Sequence, residues 1–230
     1  ETPFAPGSEI AGVIEDADGL DGYSVGDRVC GYIGFTGGIA EKGILFPTAM
    51  AHLPESLSFE TGAAIPVAYG TSYHALVDRA DLGDDETLLV LGAGGGVGLA
   101  AVQIGKVIGS KVVAAVSSGD KEAIVREAGA DYVIRYDRTP LRDGIKDATG
   151  GSGIDVVFDP VGGEMTEPAL RETNWNGVLL VIGFTSGTIP SIPINLNLVK
   201  GNSIVGVFFG RFMIEEPEKS AQNLTRIVEW

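Results

Sequence analysis

The stretch Thr87-Leu-Leu-Val-Leu-Gly-Ala-Gly-Gly-Gly-Val-Gly98 decides how the chain is read. Its first five residues are wholly apolar, the pattern of a strand buried on both faces. A helix follows, in which Val97, Ala101, Ile104 and Ile108 recur at helical spacing on one face. The glycines between them make a tight turn at the helix N-terminus. The first N–H groups of a helix have no intrahelical acceptor, and the dipole is positive at that end, so the turn is a cradle for an anion. Side chains would keep a phosphate away from those donors. In the G-x-G-x-x-G frame the three marked positions are Ala93, Gly95 and Gly98, with Gly96 and Val97 between the last two. Gly98 lets the helix pack close to the strand. Taken alone, these residues could be a tight turn without a ligand; their surroundings favour a dinucleotide.

On the C-terminal side, apolar runs at 111–116, 132–134, 154–158, 178–182 and 203–207 read as five more strands. Helical segments alternate with them, among them Asp120 to Ala128, which Asp120 caps and Gly129 stops. Continuous apolar strands separated by helices imply a parallel sheet covered on both faces. Six such strands complete an α/β, doubly wound Rossmann domain, expected over 66–230. Residues 1–65 read instead as β-rich, with short apolar segments at Glu9–Glu15, Asp27–Ile33 and Ile39–Phe46. Ser58 reads as a helix N-cap, and 69–80 as a further helix. The uncharged stretch 88–105 has the length of a membrane helix, but five glycines break it, so no span is expected.

The charge balance narrows the partners. With 31 acidic and 16 basic residues the formal net charge is −15, which repels phosphate backbones and anionic membranes. Nucleic acid and membrane surfaces are therefore not expected as partners, and an anionic cofactor needs its own cluster of cations. The single Cys30 forms no intrachain disulfide and no multi-cysteine zinc site; it reads as a small buried residue of a cytoplasmic protein. His52 and His74 are isolated in sequence and read as structural.

The end of the second strand indicates which dinucleotide binds. An acid about 20 positions beyond the glycine turn would hold the ribose 2′-hydroxyl of NAD. Ser117 occupies that place, followed by Ser118 and Gly119, so no carboxylate repels a 2′-phosphate. Lys121 follows, and Tyr136 ends the next strand, where its hydroxyl could reach the same site. Lys121 could be a solvated lysine, but a helix's first turn is a poor place for a cation without an anion to meet. NADPH is the expected cofactor.

These residues also carry a resemblance. Pro6-Gly-Ser-Glu-Ile-Ala-Gly-Val13, Gly26-Asp-Arg-Val29, Gly37-Gly-Ile-Ala-Glu41, Ala93-Gly-Gly-Gly-Val-Gly98, Asp159-Pro-Val-Gly-Gly163 and Gly183-Phe-Thr-Ser-Gly187 occur in this order. Together they resemble the zinc-independent quinone oxidoreductases of the zeta-crystallin type, in the medium-chain dehydrogenase/reductase superfamily. The resemblance implies a GroES-like β domain, here partial, followed by the Rossmann domain, with the active site in the cleft between them. It implies no metal: where zinc-using members have Gly-His-Glu, this chain reads Gly7-Ser8-Glu9, and a hydroxyl is a poor zinc ligand. It places Thr71, in Tyr69-Gly-Thr-Ser-Tyr73, near the nicotinamide, although from the sequence alone Thr71 is an ordinary helix hydroxyl. It makes Lys121 and Tyr136 2′-phosphate residues. Gly183, Phe184, Thr185 and Ser186, with Phe208 and Phe209 of the segment to Gly210, become the nicotinamide-lining loops. It suggests a homodimer through the last Rossmann strand. An N-terminal pocket segment and a C-terminal return to the β domain, which complete members have, are read as missing. The implied activity is hydride transfer from NADPH to a quinone without a metal. A reductase of α,β-unsaturated carbonyls such as an enal, or of enoyl thioesters, and a non-catalytic NADPH-binding protein stand as alternatives.

Overall fold

The computed structural model describes residues 4–17 and 19–230. They form two compact units, one reaching to Thr71 and joined by Phe208–Trp230, the other Ser72–Val207.

In the first unit β1 (Glu9–Val13) pairs antiparallel with β2 (Arg28–Tyr32), which pairs in turn with β3 (Met50–His52). Helix α1 (Phe59–Ala63) starts at Ser58, whose hydroxyl accepts from the Thr61 N–H as the sequence led one to expect. Helix α2 (Ala68–Tyr73) continues as a π-helical turn, His74–Arg79. The apolar segment Ile39–Phe46 is not the expected strand: Ile39, Ile44 and Phe46 are exposed and have no face to bury.

The second unit is a six-stranded sheet built from β4 (Thr87–Val90), α3 (Gly96–Ile108), β5 (Lys111–Val116), α4 (Gly119–Glu127), β6 (Tyr132–Arg135), α5 (Leu141–Thr149), β7 (Ile154–Asp159), α6 (Thr166–Arg171), β8 (Thr173–Val181), α7 (Asn195–Lys200) and β9 (Ser203–Gly206). The strands are parallel throughout, in the order β6-β5-β4-β7-β8-β9. This is the doubly wound Rossmann order, whose direction reverses between β4 and β7. On one face Leu89, Leu91, Val113, Ala115 and Val157 bury with Ile145 of α5 and Leu170 of α6. On the other, Gly105 of α3 lies against Leu88 and Val112. The α4 expectation is corrected at its start: Ser118 takes the N-cap position, and Asp120 sits inside the first turn, where its charge complements the dipole.

After β9 the chain adds α8 (Phe209–Glu215) and α9 (Pro217–Glu229) to the first unit. Helix α9 buries Leu224, Ile227 and Val228 and packs on β3 and the short turn Pro47–Ala49. The expected boundary after residue 65, with everything beyond it in the Rossmann half, therefore does not hold for Phe208–Trp230. Nor is a return to the β domain missing. The apolar stripe of α9 has to be buried, and the β unit is where it packs.

Candidate functional site

The glycine turn sits at the carboxyl end of β4, beside the point where the strand order reverses. Its entry is pinned: the Ala93 N–H donates to Ala115 O at 3.1 Å and the Gly95 N–H to Gly92 O at 3.0 Å. Gly95 is the N-cap of α3 and has no side chain to satisfy the free donors. A Cβ on Gly98 would stand 2.5 Å from Gly92 O and 2.8 Å from Ala93 Cα, so only glycine permits this approach of helix to turn. Gly96 differs: it is exposed, and a Cβ there would meet nothing within 4 Å. The mouth of the turn is thus open at its donors and closed behind them, which fits a dinucleotide pyrophosphate.

Ser117, partly buried, follows the last residue of β5. The stem of Lys121 lies across Gly94: its Cβ and Cγ are both 2.8 Å from where a Gly94 Cβ would stand. The structure therefore brings Lys121 to the glycine turn. Tyr136 donates its N–H to Val116 O at 3.1 Å, which fixes it beside the end of β5, and its ring packs on the core cluster of α5 and α6. No carboxylate occupies the position of Ser117.

The 183–186 loop is tied to the turn that leaves β7. Thr185 donates its N–H and its hydroxyl to Pro160 O, and Ser186 donates its N–H to Val161 O. That turn is organised by Asp159, which is 2% exposed. One carboxylate oxygen accepts from the N–H groups of Val161 (2.9 Å) and Gly162 (2.8 Å), and the other from the Thr166 hydroxyl at 2.6 Å. Val161 in turn closes against Gly92, where a Cβ would stand 2.7 Å from Val161 Cγ2. One buried carboxylate thus shapes the turn that contacts both the glycine turn and the 183–186 loop. Sequence reasoning quoted Asp159 only within a motif; its place at the carboxyl end of a central strand was the available signal.

The remaining expected residues lie in the first unit, His74 excepted, which belongs to the second. Thr71 on α2 is 9% exposed, and its N–H donates to Val67 O. The start of this helix is held by Glu9, whose carboxylate accepts from the Val67 N–H at 2.6 Å. Burial raises the pKa of Glu9, and that hydrogen bond opposes the rise. Gly70 admits the Phe209 ring, whose Cζ lies 2.6 Å from the position of a Gly70 Cβ, while Phe208 is exposed. His74 pairs with Asp78 at 2.8 Å and is buried. His52 stacks on Tyr23 with ring centroids 4.5 Å apart. Among the described residues no group of three or more His, Cys, Asp or Glu side chains is placed to hold a metal, and no helix is long and apolar enough to cross a membrane.

Residues 96–227 match the family model described as zinc-binding dehydrogenase. The chain is 40% identical over its whole length to a quinone oxidoreductase-like protein 2 homolog from Nematostella vectensis, and 38% identical over 92% of its length to the quinone oxidoreductase-like protein 2 of Bos taurus. It spans 63% and 61% of those two relatives, a little under two thirds of each. Among solved structures, a probable oxidoreductase from Mycobacterium abscessus is 34% identical with a TM-score of 0.86, covering all of this chain and 70% of its own. The quinone oxidoreductase of Escherichia coli in complex with NADPH is 27% identical with a TM-score of 0.83, covering all of this chain and 72% of its own. The 2-octenoyl-CoA carboxylase reductase CinF, in complex with NADP and 2-octenoyl-CoA, is 25% identical with a TM-score of 0.86, covering 97% of this chain and 59% of its own.

Proposed function

The chain belongs to the zinc-binding dehydrogenase family of the medium-chain dehydrogenase/reductase superfamily, alongside the quinone oxidoreductases, and from that premise we propose that it binds NADPH and reduces a quinone without a metal. The observation that carries the reading is the glycine turn, open at its donors, with Lys121 laid across Gly94 and no acid at Ser117. Gly96 and Val97 present backbone donors to the pyrophosphate, Gly95 leaves room for it while its own N–H closes the turn on Gly92 O, and Ser117 and Lys121 hold the 2′-phosphate, with Tyr136 beside them. The loop from Gly183 to Ser186 orients the nicotinamide, aided by Phe208 and Phe209. Thr71 positions the nicotinamide and the substrate. Bound NADPH supplies the hydride. A quinone accepts hydride readily, so the residues present need only orient it, exclude water and offer donors to the developing oxyanion. Ser8 stands where zinc-using members have a histidine ligand, which supports metal-free chemistry. The Escherichia coli relative solved with NADPH supports the choice of cofactor.

A second reading, reduction of an enal or an enoyl thioester, has the CinF likeness in its favour. We also propose a homodimer through β9, the edge strand, beside which Trp175, Leu198 and Val199 expose their side chains. The cytoplasm is the proposed compartment.

The test is direct. NADPH should bind the chain more tightly than NADH, and Lys121→Ala should cost NADPH at least tenfold while leaving NADH nearly unchanged. Equal losses would refute the phosphate assignment. Turnover of 1,4-benzoquinone over a short enal selects the quinone reading; the reverse selects the second. Tight NADPH binding with no acceptor reduced makes the chain a binding protein. Sedimentation at twice 23.9 kDa is expected for the dimer.

A further inference from the structure

The site contains a second cation that the motifs do not mark. Arg135, the last residue of β6, points away from the face on which Tyr136 packs and toward α4. Its Nη1 lies 3.1 Å from where a Cβ of Gly119 would stand, so the guanidinium rests against the turn Ser117–Gly119 from the β6 side. Lys121 approaches the same region along Gly94. The turn that lacks the NAD-type acid thus has a cation on either side.

The guanidinium is held unevenly. Asp137 takes Nε and Nη2 in a two-point contact at 2.8 and 2.7 Å. Nη1, the nitrogen beside Gly119, has only a 3.4 Å contact to Glu122, whose other carboxylate oxygen is taken by Arg126 at 2.8 Å. Asp137 therefore fixes the fork, and Glu122 holds loosely the one nitrogen that faces the turn. A phosphate oxygen arriving at Ser117 would meet Nη1 in the charge-assisted geometry that a fixed guanidinium favours, with Glu122 as its competitor.

We propose that Arg135 is a 2′-phosphate-recognising residue and that Glu122, by competing for Nη1, sets how strongly the chain prefers NADPH to NADH. The proposal rests on the NADPH reading above. Asp137 is the positioning residue in this arrangement: it keeps the guanidinium plane against Gly119.

Fluorescence titration of the chain with NADPH and NADH, for wild type, Arg135→Gln, Glu122→Gln and the double variant, tests this. Arg135→Gln should weaken NADPH roughly tenfold and leave NADH within twofold. Glu122→Gln should tighten NADPH severalfold without moving NADH, and the double variant should lose that gain, because the competitor matters only while Nη1 is present. A wild type that binds NADH as well as NADPH refutes the NADPH reading itself. A wild type that prefers NADPH, with Arg135→Gln leaving the ratio unchanged, refutes the Arg135 assignment alone. Loss of both cofactors together with a lowered melting temperature also overturns it, since a merely structural ion pair behaves that way. Lys121→Ala, measured beside them, shows how far the ratio moves when an independent cation is lost.

Discussion

The glycine turn contains two glycines needed for opposite reasons, and substituting alanine at each separates them. At Gly98 the new methyl would lie 2.5 Å from Gly92 O, 2.8 Å from Ala93 Cα and 3.0 Å from Gly92 C. All three are backbone atoms of the turn itself, so no side-chain rotation relieves the clash. Overpacking typically costs about 1–3 kcal/mol, and a clash with backbone lies at the upper end, about 3 kcal/mol. Alanine returns about 1 kcal/mol of helix propensity, which leaves a net loss of about 2 kcal/mol. For a chain of this size that is about 4–8 °C in melting temperature. At Gly96 a methyl meets nothing within 4 Å, so stability should hold or rise by up to about 1 kcal/mol. The Cα–Cβ bond of a helical residue tilts toward the helix N-terminus, however, and here that is the mouth of the cradle. A methyl there displaces a phosphate oxygen from its donors and should weaken NADPH at least tenfold. Thermal unfolding followed by circular dichroism and fluorescence titration with NADPH read the two effects. If Gly98→Ala is as stable as wild type, the close approach is not rigid. If Gly96→Ala binds NADPH as wild type does, the open mouth is not where the phosphate sits.

Two further outcomes follow from buried groups. Burial pushes the Cys30 thiol from 9.0 up to about 11, so the fold favours the protonated form. Stability from this group is intact below pH 9 and falls between 9 and about 11, by at most about 3 kcal/mol at about 1.4 kcal/mol per pH unit. Urea titrations at those pH values test this, and at pH 8 a thiol reagent should label the unfolded chain much faster than the folded one. Asp159→Ala strands two N–H groups and a hydroxyl, at about 1–3 kcal/mol for each group left buried, so urea denaturation should show a loss of about 3 kcal/mol or more. In the folded fraction NADPH and NADH should weaken together, unlike the Lys121 result, and Asn at 159, which keeps an acceptor for the N–H groups, should lose less.

How much of this could be read in advance depended on how far apart in sequence the partners are. Strand β4 and helix α3 were legible because a strand buried on both faces must be apolar throughout, and the glycine turn carries its own reason for being small. One closing glycine was legible too: Gly129 takes positive φ just past the last turn of α4. Strand β3 was not, because three residues, Met50-Ala-His52, show no alternation, and what covers them is α9, which begins at Pro217. Ile39–Phe46 misled for the converse reason, since apolar side chains imply burial only where another element exists to pack on them. The same rule divides the candidate site. The glycine turn proposed as the phosphate cradle is encoded within seven consecutive residues, from Gly92 to Gly98. The proposed 2′-phosphate end draws on Ser117, Lys121, Glu122 and Arg135, from the turn after β5, α4 and β6, and its charge balance exists only once those parts meet. Substitutions that abolish dinucleotide binding should therefore cluster in one motif, whereas those that change the choice of dinucleotide should scatter along the chain. A charged pair such as Arg135 and Glu122, unremarkable in sequence, can then govern selectivity as strongly as any glycine governs binding.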